Sequence, residues 1–127
     1  MANRLMTQFR YTLEKKIVDI YLKAAIGGTG APTLDAALSK GVASITRTGV
    51  GAYTVKLQDP YVDLLLAQFH VELASGSPVG VDMKVVSYDS KVAKEYLVQF
   101  YTGAGVAAEI ANGAVLKMTL ELKDSSV

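Results

Sequence analysis

The chain has 127 residues, half of them apolar, with 13 Lys and Arg against 12 Asp and Glu, one His and no Cys. That is enough apolar material for one domain with its own core. The missing Cys excludes disulfides, thiolate catalysis and sulfur-ligated zinc, and the interspersed charge lacks the basic face that a nucleic-acid binder uses against phosphates.

The opening "MANRLMTQFRYTLEKK" has no long apolar core and no small-residue cleavage site, which argues against a secretory signal. No apolar run approaches the ~20 residues of a membrane-spanning helix. A soluble protein made in a reducing cytosol is expected. Residues 1–15 read as an N-terminal arm or the lead-in to a first strand, and 16–127 as a single β domain. Within the arm, Phe9, Tyr11 and Leu13 alternate with Gln8, Arg10 and Thr12.

From residue 16 the dominant period is two. In "KIVDIYLKAAI" (16–26), Val18, Ile20, Leu22, Ala24 and Ile26 share one face, and Asp19 and Lys23 lie on the other, as in a half-buried strand. A glycine- and alanine-rich connector (27–41) follows.

"SKGVASITRTGVGAYTVKLQD" (39–59) reads as a hairpin around Thr-Gly-Val-Gly. If Ala43 and Ile45 share the core face with Tyr53, Val55 and Leu57, paired residue numbers must sum to an even number. A three-residue loop, Gly49-Val50-Gly51, closed by Thr48 and Ala52, meets that condition. Ile45 then faces Val55, Ala43 faces Leu57, and Gly51 takes the left-handed position where glycine is least strained.

"DPYVDLLLA" (59–67) predicts the one short helix, with Asp59 as cap and Pro60 in its first position. Alternation then resumes. "AQFHVEL" (67–73) places Phe69, Val71 and Leu73 together; "VDMKVVSY" (81–88) is a weaker strand; "KEYLVQFYT" (94–102) places Tyr96, Val98 and Phe100 on one face, with Leu97 and Tyr101 on the other. "VLKMTLELK" (115–123) is clearest, with Leu116, Met118, Leu120 and Leu122 opposite Lys117, Thr119 and Glu121. The fold class expected is all-β: a small antiparallel β-sandwich or barrel of about seven strands with one short helix.

Candidate chemistry is sparse. "GAGVAA" (103–108) approximates a dinucleotide fingerprint, but there is no room after it for the helix, second strand and acidic residue that the fingerprint needs, so it reads as a loop. His70 falls among Gln68 and Glu72 on a polar face, without an inferable nucleophile or orienting partner. The carboxylates are scattered and form no calcium loop. Tyr21, Tyr53, Tyr88, Tyr96 and Tyr101 fall in strands, where core or interface packing explains them. No catalytic, cofactor-binding or metal-binding residue is assigned, and an enzyme is not expected.

The pieces "FRYTLEKKIVDIYLKAAIG" (9–27), "GAPTLD" (30–35), "SKGVASITRTGVGAYTVKLQDPYVDLL" (39–65) and "LELKDSSV" (120–127) together resemble the head decoration, or cement, proteins of tailed bacteriophages. The resemblance keeps the order of the pieces and leaves out 75–113. It implies a structural virion protein without enzymatic activity or cofactor. Such a protein is made in the host bacterial cytoplasm and placed on the outer capsid surface, commonly as a homotrimer. Its partner is the major capsid protein, whose subunits it clamps together, and it binds neither nucleic acid nor membrane. Phe9, Tyr11 and Leu13 are the candidate contacts with capsid or neighbour, adding as a strand to another sheet edge, unless they open the protein's own first strand. Alternatives are another virion part (head fibre base, head–tail connector or tail protein) and a ligand-binding β-barrel.

Overall fold

The computed structural model describes residues 10–12, 15–26, 30–72, 81–110 and 113–124, with side chains from Ile17 onward. Nine strands are described: β1 (Arg10–Thr12), β2 (Lys15–Ala25), β3 (Thr33–Leu34), β4 (Val42–Gly49), β5 (Ala52–Leu57), β6 (Asp63–Glu72), β7 (Asp82–Asp89), β8 (Glu95–Tyr101) and β9 (Val115–Lys123). They form two antiparallel sheets, one in the order β1-β2-β9-β6 with β3 also on β2, the other β4-β5-β8-β7. The protein is all-β, a small sandwich. Its seven longer strands are those expected from alternation, and β1 and β3 are short additions.

The inward faces are the apolar sets predicted from the period of two. Ile20, Leu22, Ala24 and Ile26 of the β2 segment, Leu116, Met118, Leu120 and Leu122 of β9, Tyr53, Val55 and Leu57 of β5, and Tyr96, Val98 and Phe100 of β8 form one buried cluster. Two edge-to-face ring contacts centre on Phe100, one of them between the layers. Phe100 meets Tyr53 at 5.8 Å within its own sheet and Phe69 of the opposite sheet at 5.6 Å, the arrangement that aromatic quadrupoles favour.

The predicted helix over 59–67 is not there: the chain enters β6 at Asp63, and no helix occurs among the described residues. The consecutive leucines explain the misreading. A bulge between Leu64 and Leu66 inserts Leu65, so Leu64 pairs with Leu122 and Leu66 with Glu121. An extra residue of this kind breaks the alternation locally and puts three apolar residues in a row. Asp59 and Pro60 lie in the approach to the strand rather than at a helix start.

The hairpin keeps its central register, with Ile45 opposite Val55, but differs at both ends. Val42, not Ala43, pairs with Leu57, and the shift between Val42 and Ser44 leaves Ala43 exposed. At the tip a second shift brings Gly49 opposite Ala52, which shortens the loop to Val50-Gly51. Gly51 has the expected left-handed φ, +63°.

The 102–110 segment is a loop, as read. It turns at 103–105 and packs back onto the hairpin tip: Phe100 N–H donates to Gly51 O at 2.8 Å and Ala108 N–H to Phe100 O at 3.1 Å. Arg47 pairs with Glu109 across the same junction, Nε lying 3.1 Å from Oε1. Beneath it the Tyr53 hydroxyl is buried with no hydrogen-bond partner among the described residues. Burial, then the Glu109 charge, pushes its pKa up.

On the far side of β2, the gap between β1 and β3 is partly closed by one side chain. Buried Ser39 accepts from Lys23 N–H at 2.9 Å and donates to Lys23 O at 3.2 Å, standing in for a neighbouring strand.

Candidate interaction surface

Among the described residues β6 pairs only with β9 and β7 only with β8, so each is an edge strand of its sheet, as β1 and β4 are at the opposite ends. Each carries a bulge, at 64–66 and at 85–87. Bulges twist an edge and interrupt its ladder, which is how natural sheets discourage indiscriminate pairing. Here they also turn apolar side chains outward: Leu65 and Leu66 are each 43 % exposed, and Val86 is 60 % exposed.

Tyr88 joins the two edges. It is stacked on Tyr96 at 5.9 Å, with 10° between the planes, and its hydroxyl donates to Asp63 Oδ1 at 2.7 Å. The bond runs from β7 of one sheet to the start of β6 in the other. It also holds the Asp63 carboxyl below its usual range, with help from Leu64 N–H, while the Tyr88 hydroxyl is raised by the same bond. Tyr96 in turn donates to Ser90 Oγ at 2.7 Å, a fully buried polar pair. Tyr61 N–H donates to Ser90 O at 2.9 Å, fastening the entry to β6 against the turn after β7.

Elsewhere between the edges, Ala67, Gln68, Phe69, Asp82 and Met83 line an open cleft of about 470 Å³. Phe69 and Met83 are half-buried and pack on the core from one side only. Exposed leucine, valine and tyrosine beside unpaired strand edges offer two kinds of recognition at once: backbone donors and acceptors, and apolar area.

Of the sequence-predicted contact residues, only Tyr11 is among the described ones. Tyr11 is in β1, opposite Lys16 in the protein's own sheet, at the edge away from β6. Phe9 and Leu13 lie outside the described residues. His70 sits exposed on β6 opposite Lys117, which is paired with Glu72. No group of three or more metal-ligating side chains occurs among the described residues. Sequence reasoning missed Leu65, Leu66, Val86 and Tyr88 as a surface. Their signal was the failure of alternation at 64–66 and 85–88, which marks edge bulges. No family model, curated protein or solved structure matches this chain.

Proposed function

We propose that the chain is a capsid decoration protein of a tailed bacteriophage, bound to the outer surface of the head and stabilising contacts between major capsid protein subunits. The ordered sequence resemblance over 9–27, 30–35, 39–65 and 120–127 suggests the role, and one observation of the fold supports it: the β6–β7 side presents Leu65, Leu66, Val86 and Tyr88 at two edge strands. A protein that works by covering subunit boundaries needs such a surface and no reaction cleft. The N-terminal segment with Phe9, Tyr11 and Leu13 is the second proposed contact, and the assembled form is proposed to be a homotrimer.

Two measurements test this. Quantitative mass spectrometry of purified particles gives the copy number: a number comparable to that of the major capsid protein fits the shell, and a few per particle place the chain in the neck or tail instead. Binding to undecorated heads then separates the two contacts. Deleting residues 1–13 removes the three β1–β2 pairs and leaves β2 in its full register with β9. The shortened protein is expected to fold with a nearly unchanged urea midpoint and to bind weakly, since apolar anchors contribute ~1.5–3 kcal/mol each when buried. Leu66→Glu with Val86→Glu is expected to weaken binding without unfolding the domain. Full-strength binding by both variants would remove both surfaces from consideration.

A further inference from the structure

The outer face of the β1-β2-β9-β6 sheet carries an ordered charge pattern. Register aligns its residues in rows across β2, β9 and β6: Asp19, Glu121 and Leu66; then Tyr21, Thr119 and Gln68; then Lys23, Lys117 and His70. An acidic row and a basic row thus flank a neutral one. Within each charged row, like charges lie directly opposite one another, Asp19 against Glu121 and Lys23 against Lys117, an arrangement that is destabilising in an isolated antiparallel pair. Lys117 has Glu72 as a partner, and Asp19 and Glu121 also interact within their own chain. The row order remains, and it is self-complementary.

We propose that this face pairs with the same face of a second copy about a two-fold axis running along the Tyr21–Thr119–Gln68 row. Rotation about that line exchanges the flanking rows, so Lys23 faces Asp19 of the other copy and Lys117 faces its Glu121. The other in-plane axis, along the strands, would set lysine on lysine. Charge therefore selects one of the two ways in which the faces can meet, and a two-fold interface forms each contact twice. On the axis, Tyr21 is 60 % exposed. It borders a hollow of about 290 Å³ that Leu38, Gln68 and His70 also line, which leaves room for the second Tyr21 ring. With three rows ~6.6 Å apart on three strands ~4.8 Å apart, the patch covers roughly 300 Å² per copy, well under a standard interface, so the pair is a weak, transient contact.

Sedimentation equilibrium of the full chain tests this at low ionic strength. The weight-average mass is expected to rise above its dilute-limit value by pairwise association as concentration enters the upper micromolar range, and to fall back with added salt. Lys23→Glu is expected to raise the pairing constant for dissociation at least about tenfold, because it creates like-charge contacts at two symmetric places. The same substitution removes a like-charge pair inside the sheet, so its thermal stability should hold, and lost pairing cannot be ascribed to unfolding. Combining Lys23→Glu with Asp19→Lys restores complementarity and should restore pairing. A wild-type protein that shows no pairwise step overturns the proposal. So does a Lys23→Glu variant that associates like wild type, or a combined variant no better than the single one.

Discussion

Three glycines around the hairpin tip separate two effects that are usually mixed: backbone strain and steric collision. Gly49 has room, since a Cβ there would meet nothing nearer than Ala52 Cβ at 3.8 Å, and its φ is ordinary. Gly105 has φ +83° but nothing within 4 Å. Gly51 has both problems: φ is +63°, and an added Cβ would sit 2.1 Å from Ala108 O and 2.9 Å from Phe100 O. Gly49→Ala should therefore change stability by less than about 1 kcal/mol, in the stabilising direction, because alanine restricts the unfolded chain. Gly105→Ala carries left-handed strain alone, ~1–2 kcal/mol. Gly51→Ala adds displacement of the 102–110 loop, with loss of the Phe100–Gly51 and Ala108–Phe100 hydrogen bonds at about 1 kcal/mol each. The total is ~3–4 kcal/mol, a large share of the ~5–15 kcal/mol that stabilises a typical domain. Urea unfolding followed by circular dichroism reads all three. If Gly51→Ala and Gly105→Ala proved equally mild, the loop would not be held against the turn as described, and the reasoning would fail.

The two buried tyrosine hydroxyls should respond oppositely. Tyr53→Phe removes a buried hydroxyl without a partner and is expected to be neutral or stabilising, whereas Tyr96→Phe strands buried Ser90 Oγ and should destabilise by ~1–3 kcal/mol; equal urea midpoints for the two would contradict this. Acid should also weaken the fold in a defined way. Asp63 is lowered chiefly by the Tyr88 hydroxyl, Glu72 by Lys117 and Asp89 by the backbone N–H groups of Val92 and Ala93. Each folded carboxyl is more acidic than its unfolded counterpart, which titrates near pH ~4. These contributions are complete above about pH 5 and are lost as pH falls through the lowered folded values. Tyr88→Phe takes away the main cause at Asp63, so its urea midpoint should fall less steeply with acid; a curve parallel to wild type would refute that assignment.

Strict alternation made β2, β8 and β9 legible residue by residue, because a strand with one face in the core tolerates no slip. The β4–β5 hairpin was legible at its centre for the same reason. What escaped were the bulges. At Ala43, Leu65 and Val86 one extra residue moves the following side chains to the other face, and a lapse in alternation is its only trace in the sequence. At Leu65 the bulge also produced an apolar triplet that, after Asp59-Pro60, imitates a helix start. The edge surface was hidden by that misreading, since it consists of the residues the bulges turn outward. Sheet order was likewise absent from the sequence pattern, as periodicity records which face is buried and says nothing of which strand lies alongside.

That order has a consequence for how the protein is made. β9 lies between β2 and β6, with Ile17 opposite Lys123, and β8 lies between β5 and β7. Both central strands come from the later part of the chain, so neither sheet can close while the ribosome is still delivering residue 95. Until β9 has been made, β2 and β6 have no shared neighbour, and their apolar faces remain open to other nascent chains. Such non-local pairing slows folding and prolongs exposure to aggregation. Stalled or prematurely terminated products should need chaperone protection, and a yield limited by folding rather than by synthesis is expected when expression is driven hard at high temperature.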